Sequence, residues 1–118
     1  MKDYNNGKIY YIICKKTNNI YIGSTTEPLR VRLAKHKYEA NNVNRPNTSS
    51  AKCLKHNYII KCLENYPCNN NEELTDRESL YIIKSRLENT FNCINERCPS
   101  GHKKMVYDLS SLPCPSLT

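Results

Sequence analysis

The sequence predicts a small α/β domain, because a β-hairpin near its start is followed by helices that alternate with a further strand. Apolar, β-branched and aromatic runs at 9–13, 20–22 and 58–63 are typical of strands. Apolar residues recur at helical spacing over 72–87, which is the clearest helix of the chain. A length of 118 residues fits one domain with one core.

The predicted hairpin is closed by a polar turn. The first strand, 9–13, is apolar enough to be buried on both faces. Asn18 and Asn19 tolerate positive φ and can close the turn. The second strand, 20–22, is expected to end at Gly23, where backbone approaches a ligand or a neighbouring chain.

Two helices are predicted between the hairpin and the third strand. The first spans 27 to about 40, with Thr25 or Thr26 as its cap and Glu27 in its first turn. A shorter helix is expected over 49 to about 56. The sequence therefore alternates hairpin, two helices, strand and a final helix.

Charge and hydropathy indicate a basic protein that does not span a membrane. Lys and Arg number 18 against 11 Asp and Glu, a net charge of +7 that favours a polyanionic partner such as nucleic acid. No apolar run reaches the roughly 18 residues of a membrane span, and residues 1–6 lack a signal-peptide core. We expect a single domain over 1–118, with its core at about 7–100 and an irregular tail at 101–118.

The seven cysteines contain no Cys-x-x-Cys pair. We expect reduced, partly buried thiols in an intracellular, reducing compartment, the cytoplasm or the nucleus of a host. Cys93, Cys98 and His102 offer a competing interpretation, a Cys-rich metal domain that serves as an interaction platform. Their spacing is looser than that of ordinary zinc sites.

Arg32 and His36 are four residues apart and share one helix face. An arginine there can hold a phosphate with two parallel hydrogen bonds, and a histidine one turn away can move a proton. The competing interpretation is an ordinary solvated basic face, since Arg30, Lys35 and Lys37 lie on the same helix.

Glu78 lies on a partly apolar stripe of the last helix, between Leu74 and Ile82. A carboxylate in such a position needs a partner charge or a metal ion. One carboxylate, several waters and a substrate phosphate form a common Mg²⁺ arrangement. An ion pair with Arg77, Lys84 or a residue on another element is the structural alternative.

Tyr10 and Tyr21 lie on the two arms of the hairpin. Tyrosine favours strands, so two in a hairpin are ordinarily packing residues. Strand alternation also sends Tyr10 and Tyr11 to opposite faces of the sheet. On pattern alone, packing and chemistry both stay open for these phenols.

Together these motifs resemble the GIY-YIG nuclease family over about residues 7–100. They occur in the family's order and rough spacing, as Gly7-Lys8-Ile9-Tyr10, Tyr21-Ile22-Gly23, Arg32-x-x-x-His36, Glu78-x-x-Tyr81-Ile82 and Cys93-Ile94-Asn95. Asn92 is a rival to Asn95 for the last position. Lys8 stands where the name-giving Gly would be, and could reach the DNA backbone or the phenol of Tyr10.

The resemblance implies a fold and a reaction. The fold is a small three-stranded antiparallel sheet flanked by helices, of the α+β type. The reaction is hydrolysis of DNA phosphodiesters by one divalent metal ion, Mg²⁺ or Mn²⁺, and an activated water. The resemblance assigns the metal ion to Glu78 and the phosphate to Arg32.

The resemblance also implies how protons move. Tyr10 is the leading candidate for general base, and nearby cations would have to lower its pKa from the usual value of about 10. Tyr21 and His36 would orient the water or relay its proton. Asn95 would hold the phosphate or shape the metal side of the site.

DNA is the expected partner, held by the basic helix and the loop after it. The expected DNA contacts are Lys8, Arg30, Lys35, Lys37 and Arg45. Sequence choice would then come from this domain, from a homodimer or from a partner protein. The alternative is a catalytically silent nucleic-acid-binding module of the same fold, and the biological role stays open among homing, restriction, repair and viral or mobile-element maintenance.

Overall fold

The computed structural model describes residues 2–41, 49–54, 57–95 and 112–116. After a 3₁₀ turn at Tyr4–Asn6, these residues form, in chain order, β1 (Lys8–Cys14), β2 (Asn19–Thr25), α1 (Leu29–Ala40), α2 (Ser49–Leu54), β3 (Tyr58–Asn65), α3 (Asn71–Glu88) and β4 (Asn92–Cys93). The predicted α/β class is confirmed. Across the described ranges, no helix is both long and apolar enough to cross a membrane.

One sheet carries the fold, in the strand order β3-β1-β2-β4. β1 is the central strand and runs antiparallel to both β2 and β3, so the three antiparallel strands of the prediction are present. The expected strand count was one too low, because β4 joins β2 in parallel at the sheet edge. A strand of two residues has no periodicity to reveal it.

The hairpin closes as predicted, with Asn18 in the left-handed region at φ 59°. However, β2 does not end at Gly23 but continues to Thr25. In the β1–β2 register Gly23 lies opposite Tyr10. A Cβ atom on Gly23 would lie 2.5 Å from the phenol carbon and oxygen of Tyr10. The glycine therefore makes room for a side chain of this chain, within a continuing strand.

The start of α1 also differs from the prediction. The helix begins at Leu29, with Pro28 as an N-cap that makes no side-chain hydrogen bond. Thr25 does use its hydroxyl, but to accept a hydrogen bond from the Glu27 amide at 3.0 Å. Threonine thus stabilises the turn that precedes the helix instead of capping the helix itself.

The later helices follow the prediction closely. α2 is described to Leu54, and residues 55–56 of the expected helix lie outside the described residues. Asn70 caps α3 by accepting a hydrogen bond from the Glu73 amide at 2.9 Å. Asn89 ends α3 in the left-handed region, at φ 53°.

Each face of the sheet packs its own core. One face meets α3, through residues that include Ile9, Tyr11, Ile13, Ile20, Ile22, Leu74, Tyr81, Ile82 and Leu112. The other face lies toward α1 and α2 and buries Tyr10, Ile12, Cys14 and Cys53. Alternation along β1 therefore sends Tyr10 to the α1 side and Tyr11 to the α3 side.

Residues 112–116, from the predicted irregular tail, contain no helix or strand but pack on the α3 side. Leu112 is buried in that core. The Lys84 ammonium donates to the Leu112 carbonyl at 2.9 Å, and the Tyr11 hydroxyl donates to the Ser116 carbonyl at 2.8 Å. This segment closes the side of the sheet opposite Tyr10.

Candidate active site

Tyr10 lies at the centre of the candidate site. Its side chain is fully buried on the α1 side of the sheet. Its hydroxyl oxygen lies 2.5 Å from His36 Nε2, and Arg32 Nε donates to the same oxygen at 3.3 Å. One strand and one helix thus bring three of the predicted site residues into a single hydrogen-bonded cluster.

His36 is buried, so the interpretation of a solvated basic face is wrong for it. Burial, reinforced by the nearby Arg32 charge, lowers the pKa of His36 to about 4, and the ring is neutral at pH 7. Its Nδ1 lies 2.9 Å from Ser50 Oγ. Because Arg32 already donates to the Tyr10 oxygen, we assign the Tyr10 hydroxyl as the donor to His36 Nε2. The ring proton of His36 then lies on Nδ1, which donates to Ser50.

Tyr21 packs its ring edge-on against His36, with the ring centroids 5.4 Å apart. Burial, and after it the Glu78 carboxylate, raises the pKa of Tyr21 to about 12. The pKa of Tyr10 is likewise raised above its ordinary value, mainly by burial and to a smaller extent by Tyr21. Arg32 opposes this rise only in part. A general-base role for Tyr10 requires nearby cations to lower its pKa, and the lowering by Arg32 is outweighed by burial.

Glu78 extends from α3 toward the end of β2. The Ser24 hydroxyl donates to Glu78 Oε1 at 2.6 Å. Burial raises the pKa of the Glu78 carboxyl, while Ser24 and the Arg32 charge oppose that rise. Glu78 in turn acts electrostatically on Tyr10 and Tyr21, so the carboxylate belongs to the same site as the phenols.

The cations offered as ion-pair partners of Glu78 are engaged elsewhere. Arg77 Nε lies 2.6 Å from Glu64 Oε1, and Lys84 Nζ lies 3.1 Å from Glu88 Oε1. Glu78 is a partly buried carboxylate, and its burial disfavours the charged form unless a cation is added. This environment fits a divalent metal ion.

A metal ion at Glu78 would draw on few protein ligands. In the part of the chain that the structure describes, no group of three or more His, Cys, Asp or Glu side chains is arranged to hold a metal ion. Mg²⁺ commonly binds one or two carboxylates and completes its shell with water and substrate phosphate. A lone Glu78 is consistent with that coordination.

Asn95 holds the strand beneath the site. Its side-chain oxygen accepts from the Ile22 amide at 2.9 Å, and its side-chain nitrogen donates to the Ile22 carbonyl at 2.7 Å. Asn92 instead bonds Asn19 at the hairpin end, so Asn95 is the asparagine next to Tyr21. The oxygen and the nitrogen of its side-chain amide both bond the backbone of Ile22, so Asn95 holds β2 in position.

The family model described as the GIY-YIG catalytic domain matches residues 6–92, about three quarters of the chain. The chain belongs to the GIY-YIG family. Neither a curated protein nor a solved structure matches it. Family membership establishes a nuclease fold, and domains of this family are generally endonucleases.

Lys8, which stands where the name-giving glycine would be, has a structural role in this GIY-YIG domain. Its ammonium donates to the carbonyls of Asn6 and Glu27, at 2.9 Å and 3.0 Å. Among the described contacts it bonds those two carbonyls and not the phenol of Tyr10, so that expected contact is absent. Lys8 ties the start of β1 to the turn before α1, and its contact with DNA stays a prediction.

The other cations assigned to DNA lie mostly on the outside of α1. Arg30, Lys35 and Lys37 are exposed. Lys35 bonds both carboxylate oxygens of Glu27, at 2.7 Å and 2.8 Å, and Lys37 lies over the Tyr58 ring at 5.9 Å from its centroid. Arg45, the last cation assigned to DNA, lies outside the described residues.

Of the competing metal site, only Cys93 is described, and it is a free thiol. Cys98 and His102 lie outside the described residues.

Sequence reasoning missed two site residues, Ser24 and Ser50. Ser24 follows the Tyr21-Ile22-Gly23 motif directly, so its position on β2 is a signal that could have drawn attention to it. Ser50 carries no such signal, because only the packing of α2 against α1 places its hydroxyl beside His36.

Proposed function

We propose that this chain is a divalent-metal-dependent DNA endonuclease that hydrolyses a phosphodiester bond with a water activated near Tyr10. The observation that carries the proposal is the hydrogen-bonded cluster of Tyr10, His36 and Arg32, coupled electrostatically to Glu78. Its members come from β1, α1 and α3. Their convergence on one point supports chemistry over simple strand packing.

A phosphodiester resists hydrolysis because it is anionic and its leaving alkoxide is poor. A site has to supply an activated nucleophile, and positive charge where negative charge develops in the transition state. Arg32 uses Nε on Tyr10. The other donors of its guanidinium are then suited to the non-bridging oxygens of the phosphate.

Glu78 would hold the metal ion, with Ser24 fixing the orientation of the carboxylate. When bound, Mg²⁺ or Mn²⁺ would polarise the phosphate and stabilise the leaving 3′ oxygen. Because burial raises the pKa of Glu78, a bound cation would also favour the charged form of this carboxylate.

The cluster would offer the water proton a path. Water would give its proton to the Tyr10 oxygen as the Tyr10 proton passes to His36 Nε2, while the Nδ1 bond to Ser50 keeps the ring oriented. The water oxygen would bond to phosphorus as the bond to the leaving 3′ oxygen breaks. A phenol with a raised pKa then never needs to carry a full negative charge, because its proton leaves as another arrives. His36, whose pKa is lowered to about 4, would hold the proton only while the negative charge of the bound phosphate offsets the charge of the imidazolium.

Cleavage of supercoiled plasmid DNA tests the proposal. We expect Mg²⁺-dependent cleavage that a chelator abolishes, and a loss of at least ~100-fold in Glu78→Gln and in Arg32→Ala, the scale of one lost electrostatic group. Glu72→Gln is the matched control, since Glu72 is an exposed carboxylate in the first turn of the same helix. It should cleave at the wild-type rate.

Two outcomes would contradict the proposal. Near-normal cleavage by folded Glu78→Gln or Arg32→Ala protein would remove these residues from the mechanism. Salt-sensitive DNA binding without cleavage in any divalent metal ion would favour the alternative, a catalytically silent binding module of the same fold. Branched and flapped substrates extend the assay to structure-specific cleavage.

A further inference from the structure

A polar cavity of about 150 Å³ adjoins the candidate site at the ends of β2 and of the 3₁₀ turn. We call it the flanking cavity. Its lining includes Lys2, Ser24, Thr26, Glu27, Arg32 and Asn71. Arg32 also bonds Tyr10, and Ser24 also bonds Glu78. The flanking cavity is therefore continuous with the catalytic cluster through two side chains that serve both.

Cations outnumber carboxylates around this cavity. Lys2 and Arg32 line it, and Lys8 Nζ lies 3.0 Å from the carbonyl of the lining residue Glu27. The carboxylate of Glu27 is itself bonded by Lys35. Lys2 and Arg32 thus outnumber the one lining carboxylate, which Lys35 already pairs, and this arrangement favours an anionic ligand over a second metal ion.

The size and chemistry of the cavity suit a phosphate group. Its volume equals that of about five water molecules at liquid density. The hydroxyl of Thr26 and the ammonium of Lys2 are hydrogen-bond donors at its wall, while the Ser24 hydroxyl donates to Glu78. Charged donors and hydroxyls that surround a small space are typical of phosphate recognition.

We propose that the flanking cavity binds the phosphate next to the scissile phosphate on the cleaved strand, with Lys2 as its main cation. The proposal rests on the endonuclease function proposed above. Arg32 borders both sites, so the two anions have to be close neighbours, as consecutive phosphates of one strand are. Binding two consecutive phosphates fixes the register of the strand relative to Tyr10.

Lys2 lies outside the region that the family model matches. That region is residues 6–92, and it contains Arg32 and Ser24. The subsite thus combines side chains of the matched domain with a cation from the segment before it.

The first test measures DNA binding as a function of salt concentration in the Glu78→Gln background. Lys2→Ala should weaken binding and lower the slope of log affinity against log salt concentration by about 1, the loss of one phosphate contact. Lys2→Arg should keep the slope. Lys16→Ala is the matched control, an exposed lysine in the β1–β2 turn, and should leave the slope unchanged.

The second test locates the phosphate. Single methylphosphonates, which are neutral, replace each phosphate near the cleavage site in turn, and single-turnover cleavage is followed. At the phosphate next to the scissile one, the replacement should slow the wild-type and Lys16→Ala proteins. It should change the rate of Lys2→Ala by less than about twofold, because the contact is already lost.

The outcomes separate the two proposals. If the wild-type protein cleaves and Glu78→Gln does not, but Lys2→Ala behaves like Lys16→Ala at every position of the scan, the subsite is overturned and the endonuclease function stands. If the wild-type protein fails to cleave DNA in any divalent metal ion, the endonuclease function fails, and an unchanged salt slope in Lys2→Ala would then also overturn the anion subsite.

Discussion

Each neighbour of the Tyr10 phenol constrains a different part of it. His36 and Arg32 position the hydroxyl, and Gly23 leaves room for the ring on the neighbouring strand. Tyr21 adds no hydrogen bond to this set but packs against the His36 ring. The phenol is therefore oriented before any substrate arrives, as a group that passes a proton has to be.

At this scale the buried His36 makes stability depend on pH. Its folded-state pKa of about 4 lies below the ordinary value of 6.5, so the unfolded chain binds more protons between these values. Stability contributed by neutral His36 is present above pH 6.5 and is lost as the pH falls toward 4. The full loss is at most about 3 kcal/mol, from about 1.4 kcal/mol per pKa unit.

Urea unfolding at several pH values between 4.5 and 7.5 measures this loss. Glu78 contributes with the opposite sign above its usual pKa, because its folded-state pKa is raised. The difference between wild-type protein and His36→Gln therefore isolates the histidine. We expect that difference to shrink as the pH falls. A difference independent of pH would mean that His36 is not held neutral.

At the scale of elements, strand register places the reacting group. β1 and β2 pair so that Gly23 lies opposite Tyr10. A shift of one residue would turn Tyr10 to the α3 face and put Tyr11 in its place. The segment that follows β4 supports this register from the other side of β2, because the side-chain amide of Asn95 bonds both backbone groups of Ile22.

Gly23→Ala tests the importance of this cross-strand contact. The added methyl group would lie 2.5 Å from the Tyr10 ring, so the ring has to move away from His36. We expect single-turnover cleavage to fall by at least ~10-fold, since a displacement of about 1 Å from productive geometry can cost 100-fold.

The control is the combination with Tyr10→Phe, which removes the hydroxyl itself. If both changes act on the position of one hydroxyl, the double variant should be no slower than Tyr10→Phe alone. Strictly multiplicative losses would show that Gly23 acts elsewhere. Gly7→Ala offers a comparison away from the site, because its methyl group would meet the Tyr66 carbonyl at 2.6 Å.

The elements themselves were predictable to different degrees. The hairpin, β3 and α3 have strong local signals in β-branched runs, Asn turns and helical spacing, and they form near the expected bounds. The side of a helix that is buried was harder to predict. The buried residue of α1 is His36, whereas Leu87, at an apolar spacing on α3, is 74% exposed.

At the scale of the whole molecule, the sheet separates a chemical side from a supporting side. On one face of the sheet Tyr10 meets His36 of α1, while residues 112–116 and α3 pack on the opposite face. Glu78 reaches the site from α3 at the end of β2. The position of the carboxylate thus depends on the packing of the supporting side.

Leu112→Ala tests the packing of the supporting side. Leu112 is 7% exposed and belongs to the α3-side core, so its truncation should destabilise the protein by about 2 kcal/mol or more. Leu87→Ala is the matched control, because Leu87 is 74% exposed and its truncation should change stability by no more than about 0.5 kcal/mol. Denaturant unfolding checks both, and equal losses would show that residues 112–116 do not support the core.

Local propensity and motif spacing are properties of the chain, so the α/β class, the hairpin and the order of the Tyr, Arg, His and Glu motifs were all predictable from the amino-acid sequence. The burial of neutral His36, the presence of Ser24 and Ser50 in the site and the bonds of Lys8 to backbone carbonyls became known only from the folded arrangement. These outcomes depend on which elements meet. Burial and long-range hydrogen bonds arise only when strands and helices distant in sequence pack together.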